Sequence, residues 1–149
     1  QSVGVDGERA LWQQTLANAN KTLVQTLDII KQNDPNALVV IMADHGGFVG
    51  MEYTLQTYTK TQDRDLIYSI FSSNLSIHWP QGDIPSYDIN FKSAVNVFRI
   101  LVSYLTQDTS YLDHLQDDSS YVILNKDAPS GVYKYIDTDG TIVFEPVAQ

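Results

Sequence analysis

From Glu8 to Gln32 the apolar positions Trp12, Leu16, Ala19, Leu23, Leu27 and Ile30 recur at steps of three and four, the spacing of one helical face. The pattern predicts an amphipathic helix of about six turns. "NDPN" at 33–36 should end it, because the residue before a proline is pushed out of the α region and Asn and Asp favour turns. Leu38 to Met42 then runs apolar on both faces and is rich in β-branched residues, which predicts a strand buried on both sides, inner and parallel, over 37–43. "LIYSIF" at 66–71 reads as a second such strand. "SAVNVFRILVSYL" at 93–105 carries Val95, Phe98, Leu101, Val102 and Leu105 at helical spacing. Near the end, "YVIL" at 121–124 and the pair "VYKYI" and "TIVFE" around "DTDG" predict a short antiparallel hairpin, with Asp-Gly supplying the positive φ of a tight turn. The elements together predict an α/β fold.

Composition narrows the function. The chain has 149 residues, 43% of them hydrophobic, so it can bury a real core. No repeat or flexible linker interrupts it, and 1–149 reads as a single unit. No apolar run approaches the roughly 20 residues that span a bilayer, so this chain reads as soluble. With 9 Lys+Arg against 18 Asp+Glu the formal charge is −9, which repels phosphate backbones and argues against nucleic acid as a partner. The absence of cysteine excludes disulfides, thiolate metal sites and a cysteine nucleophile. The start, "QSVGVDGERALWQQ", lacks an initiator Met and a signal-like run and reads as a cut end.

The candidate chemistry lies in "ALVVIMADHGGFVG", 37–50. Ligands of parallel α/β sheets sit beyond the carboxyl ends of the strands, and Asp44-His45 falls there. A carboxylate oxygen beside an imidazole nitrogen suits Zn²⁺, Mn²⁺ or a similar divalent ion. Gly46 and Gly47 let the backbone turn sharply. The plainer reading of the triplet is a polar strand end, with the Asp a cap and the His exposed. His78, in "SIHWP", and Arg64 are candidate substrate contacts, the arginine through charge-assisted bonds to an anion. His78 beside Trp79 and Pro80 also suits a packed loop. Arg99, in a helix with Asn96, reads as making structural hydrogen bonds. Asp113, Asp117 and Asp118 lack the oxygen spacing and glycine of a calcium loop and read as a solvated acidic face.

The stretch "ANANKTLVQTLDIIKQNDPNALVVIMADHGG" resembles sulfatase-like hydrolases and transferases of the alkaline phosphatase superfamily, in which a helix, an Asp-Pro-Asn-Ala turn and an apolar strand lead into Asp-His-Gly. "RDLIYSIF", "SAVNVFRILVSYL" and "LQDDSSY" resemble later elements of that family, so the likeness spans about residues 12 to 121. The resemblance implies a doubly wound, mainly parallel sheet, of which the C-terminal hairpin is an addition. It implies a divalent metal (Zn, Mn or Ca) held in part by Asp44 and His45. It also implies transfer or hydrolysis of a phosphate, sulfate or phosphoglycerol ester, on a small anionic or a lipid- or glycan-linked substrate. The family's nucleophile and further acidic ligands lie upstream, so the chain resembles the C-terminal part of a larger catalytic domain. Its partner would be the N-terminal part, and no catalytic residue is assigned within it. Many relatives are membrane-anchored with the catalytic domain outside the cytoplasm, which implies an extracytoplasmic address. Relatives often continue Asp-His-Gly with Pro-Arg, where this chain has Gly47-Phe48-Val49, and Ala94 stands where proline is common. The alternative class is a non-catalytic acidic α/β binding or interaction domain, with Asp44-His45 serving as a strand cap.

Overall fold

A computed structural model describes residues 4–148. The contacts fall into two compact units, one running through residue 56 and taking in Thr61–Asp83, the other comprising Thr57–Lys60 and the chain from Ile84 onward.

The first unit opens with helix α1, Gly4–Asn33. The expected apolar stripe is present, but no side chain of α1 is fully buried. Leu23, Leu27 and Ile30 are half-buried, whereas Leu16 remains 52% exposed. The helix ends where the sequence says it should. Asn33 Nδ2 donates to the Ile29 carbonyl at 2.8 Å, and Asn36 N–H donates to Asp34 Oδ1 at 3.1 Å, an Asx turn that takes over from the helical ladder.

Strand β1 follows at Val39–Met42. Neither of its faces is sealed: Val39, Val40 and Ile41 are half-buried and Met42 is 40% exposed. The expected second strand at 66–71 is instead helix α2, Arg64–Phe71. Asp63 decides this, because its carboxylate accepts from the N–H groups of Asp65 (3.0 Å) and Leu66 (3.2 Å), two donors a helix start leaves free. Leu66 and Ile67 then point inward and are buried.

Strand β2 is consequently Leu75–His78. Its leucine and isoleucine are half-buried while Ser76 and His78 are exposed, the alternation of an antiparallel strand with one wet face. It pairs with β1 antiparallel, Val39 opposite His78 and Met42 opposite Leu75. This overturns the doubly wound, mainly parallel sheet. Both sheets are antiparallel, and parallel pairing among the described residues is confined to an isolated bridge between Thr59 and Lys126. The fold is mixed helix with antiparallel sheet.

The second unit centres on helix α3, Val97–Thr106, as its periodicity predicts, preceded by a 3-10 turn at Ala94–Asn96. Asn96 is fully buried. Its Oδ1 accepts from Gln116 N–H at 2.9 Å, and its Nδ2 donates to the Gln116 carbonyl at 2.8 Å and to Asp118 Oδ2 at 3.0 Å. That amide ties "SAVN" to "LQDD", two of the stretches that carry the family resemblance. Strands β3 (Ser120–Leu124), β4 (Gly131–Ile136) and β5 (Ile142–Pro146) form an antiparallel meander. The β4–β5 turn uses Gly140 at φ +85, with Asp137 N–H donating to the Thr141 carbonyl at 2.9 Å, as "DTDG" predicts. Val97, Ile100, Leu124 and Tyr135 are fully buried, and Tyr135 meets Phe144 edge-on with ring centroids 4.9 Å apart.

Candidate functional site

Beyond β1 the chain must leave the sheet, and the two glycines determine how it does so. Ala43 N–H still donates to the Asn74 carbonyl at 2.9 Å, continuing the ladder past β2. The backbone then turns onto the C-terminal end of α2. Gly46 N–H donates to the Ile70 carbonyl at 2.9 Å and Phe48 N–H to the Ser69 carbonyl at 3.1 Å, which satisfies two acceptors that a helix end leaves open. Gly46 is buried so closely against this end that a Cβ would stand 2.1 Å from the Ser69 oxygen. Only glycine can occupy the position without moving the backbone.

Helix α1 holds the other side of the loop. The Trp12 ring lies against Gly47, where a Cβ would be 2.9 Å from Cζ2. Glu8 Oε2 accepts from Gly50 N–H at 3.2 Å. Ser69 Oγ donates to the Val49 carbonyl at 3.0 Å, so this hydroxyl is committed to the loop.

Asp44 and His45 stand out from this clamped turn, with side chains 89% and 60% exposed. His45 Nδ1 lies 2.6 Å from the Gly46 carbonyl oxygen. A carbonyl can only accept, so the proton sits on Nδ1, and in the neutral imidazole Nε2 carries the lone pair. Nε2 lies 3.7 Å from Asp44 Oδ1, too far for a direct hydrogen bond. The Phe48 ring meets the imidazole edge-on, centroids 5.1 Å apart at 73°.

The donor chemistry suits a divalent ion. Two ligands with bonds of about 2.0–2.2 Å can reach one ion from atoms this far apart. An imidazole that gives its other N–H to a backbone carbonyl is the usual orientation of a metal-binding histidine. Among the described residues no group of three or more His, Asp or Glu is gathered around such a point, so the donor set on this loop is the pair alone.

The remaining sequence candidates lie apart from the pair. His78 ends β2 opposite Val39, about five residues or ~17 Å of strand from Asp44. Arg64 begins α2, and the loop docks on the opposite end of that helix, roughly 8 Å of helical rise away. The Arg64 guanidinium sits over the Tyr68 ring, 5.2 Å from its centroid. Arg99 Nη1 donates to the Val95 carbonyl at 2.9 Å, the structural bond expected of it.

In the acidic cluster Asp113 and Asp117 are exposed, as a solvated face requires, and Asp117 and Asp118 are in addition hydrogen-bonded. Asp117 Oδ1 accepts from Thr138 Oγ1 (2.6 Å), Ser119 Oγ (2.7 Å) and Ser119 N–H (3.0 Å), and Oδ2 from Tyr121 O–H (2.8 Å). The Thr138 hydroxyl above all, then Ser119 and Tyr121, hold its carboxyl well below the usual carboxylate range. Asp118 accepts from Ser93 Oγ as well as from Asn96.

Residue spacing placed Trp12 on the apolar stripe of α1 but did not point to its contact with the loop, and it did not single out Phe48 or Ser69. The available signal was the double glycine, since two adjacent residues without Cβ allow other groups to approach. Among the described residues no helix is long and apolar enough to cross a membrane. Comparison with known protein families, with characterised proteins and with solved structures finds no match to this chain.

Proposed function

We propose that Asp44 and His45 are two ligands of a divalent metal site, and that the protein carrying this chain uses the site to hydrolyse or transfer phosphate, sulfate or phosphoglycerol esters. The observation that carries the reading is the orientation of His45. Its Nδ1 lies on the Gly46 carbonyl, which leaves Nε2 as the outward ring nitrogen, 3.7 Å from a carboxylate oxygen. A carboxylate oxygen and an imidazole nitrogen at that separation can both reach one divalent cation. The resemblance of "NDPNALVVIMADHGG" to sulfatase-like enzymes points to the same pair.

The mixed nitrogen and oxygen donors favour Zn²⁺ or Mn²⁺ over Ca²⁺, which takes oxygen ligands. Such an ion, when bound, withdraws charge from ester oxygens and eases ionisation of a nucleophile. The chain's own contribution is a carboxylate oxygen, an imidazole nitrogen and a loop that holds them together. Protein zinc sites normally use three or four side-chain ligands, so further ligands and the nucleophile would come from a preceding part of the catalytic domain. The substrate would be a small anionic ester or a lipid- or glycan-linked one, and the address extracytoplasmic on a membrane-anchored protein.

The competing reading is an acidic interaction domain, favoured by the exposed apolar residues Leu11, Leu16, Val24 and Ile29 of α1. Titration calorimetry with Zn²⁺ and Mn²⁺ separates the two. The 149-residue chain should bind weakly, lose binding in His45→Ala and Asp44→Ala, and bind less as pH falls, because protons compete for the imidazole. It should not turn over activated phosphate or sulfate esters by itself. Metal binding unchanged by His45→Ala would make the pair a strand end and favour the interaction domain.

A further inference from the structure

Phe48 has φ +56, the left-handed region that aromatic residues seldom occupy. The position is locked from both sides: Phe48 N–H donates to the Ser69 carbonyl at 3.1 Å, and its carbonyl accepts from Met51 N–H at 3.3 Å. A glycine would meet the same backbone demand with less strain, and the chain already uses glycine at 46, 47 and 50. What position 48 adds is therefore the side chain. The half-buried ring lies against the His45 imidazole, centroids 5.1 Å apart at 73°, a T-shaped geometry that restrains the facing ring. Strain retained next to a candidate ligand is a recurrent sign of a pre-set site.

We propose that Phe48 is a positioning residue: its ring, packed T-shaped on the His45 imidazole, holds that imidazole with Nδ1 on the Gly46 carbonyl and Nε2 on the side of Asp44, so the pair is arranged for a divalent cation before the cation arrives. This rests on the metal-site reading above and adds to it the residue that sets ligand orientation.

The test is a Zn²⁺ titration of the 149-residue chain followed through the His45 ring resonances, with the His45 tautomer read in the metal-free protein by long-range proton–nitrogen NMR and folding followed by thermal unfolding. Phe48→Tyr keeps the aromatic ring. Phe48→Leu keeps bulk and backbone strain without it, and Phe48→Gly removes both. Zn²⁺ affinity should stay within about twofold in the tyrosine variant and fall roughly three- to tenfold in the leucine and glycine variants, the size of one aromatic pair. The share of the Nδ1–H tautomer should fall in the same two variants, including in Phe48→Gly, where backbone strain is relieved. Native affinity and native tautomer in Phe48→Leu and Phe48→Gly, with binding abolished by His45→Ala, would overturn this proposal and leave the metal site standing. Zn²⁺ binding indifferent to His45→Ala would overturn both.

Discussion

At the scale of single residues, two exposed carboxylates differ in their surroundings because their hydrogen-bond donors differ. Asp44 is exposed and stands 3.7 Å from His45 Nε2, whereas Asp117 receives hydroxyl and amide donors from Ser119, Tyr121 and Thr138. Nothing in "LQDDSSY" could show this, since Thr138 lies 21 residues downstream. The donors depress the Asp117 carboxyl below its ordinary value of 3.8. A group depressed in the folded state stabilises the fold above its unfolded value and loses that contribution as pH falls through the folded one. The Asp117→Asn variant should accordingly melt below the native chain at neutral pH, and the gap should close as pH drops below about 4. A gap that stays constant to about pH 2 would mean the donors bind charged and neutral forms alike. The exposure of the group keeps the effect modest, because solvent screens it. Asp44-His45, by contrast, was legible as a candidate because position at a strand end is a local property. The tautomer of His45 was not, since it depends on where the Gly46 carbonyl points.

At the scale of elements, local pattern predicted α1, β1, α3 and the C-terminal antiparallel strands, all of which form. It failed at 66–71, where a six-residue apolar run is compatible with strand and helix alike. The informative residues were upstream, Asp63 as cap and Asp65 in the first turn, an arrangement that favours the positive end of a helix. That one element changes the sheet as well. With "LIYSIF" helical, "LSIH" becomes the partner of β1, and its half-wet alternation goes with antiparallel pairing. Strand direction is not encoded in the periodicity of β1 itself, because an apolar run on both faces says only that both sides are to be covered. Since α2 is only eight residues long, its cap is a large part of its stability, and its last carbonyls hold Gly46 and Phe48. Asp63→Ala should cost about 1 kcal/mol in denaturant unfolding and Asp63→Asn much less. The alanine variant should also broaden or shift the amide resonances of Gly46 and Phe48, far from the substitution in sequence. Unchanged resonances at those amides would show that the loop does not depend on the helix end.

At the scale of the whole molecule, burial is unevenly shared. Among the described residues, the buried hydrophobic ones are Leu66, Ile67 and Trp79 in the first unit and Val97, Ile100, Leu101, Leu124, Tyr133, Tyr135 and Ile136 in the second. Burial of apolar surface is the main favourable contribution to folding, at roughly 1.5–3 kcal/mol for each large side chain. The difference of four such residues therefore outweighs any single hydrogen bond. The longest helix among the described residues, α1, buries none of its side chains completely and half-buries Leu23, Leu27 and Ile30, so little apolar packing guards its backbone bonds beyond these and the contacts of Glu8 and Trp12 with the glycine loop. Local opening of such an element exposes little apolar surface and costs correspondingly little. Native-state hydrogen exchange on the 149-residue chain should then rank the amides in a definite order. Those of α3 and β4 should be slowest, exchanging only through opening of the second unit, and those of α1 and β1 faster by a factor of about 100 or more, the ratio for a difference of ~3 kcal/mol in opening free energy. Divalent metal supplies a second arm, since a ligand that binds only the folded loop stabilises it by mass action. Added Zn²⁺ should slow exchange at Gly46, Phe48 and the end of β1 while leaving β4 unaltered. Equal protection across the two units, with no response to Zn²⁺ in the loop, would mean that the chain opens as one cooperative block and that its stability does not follow the distribution of buried side chains.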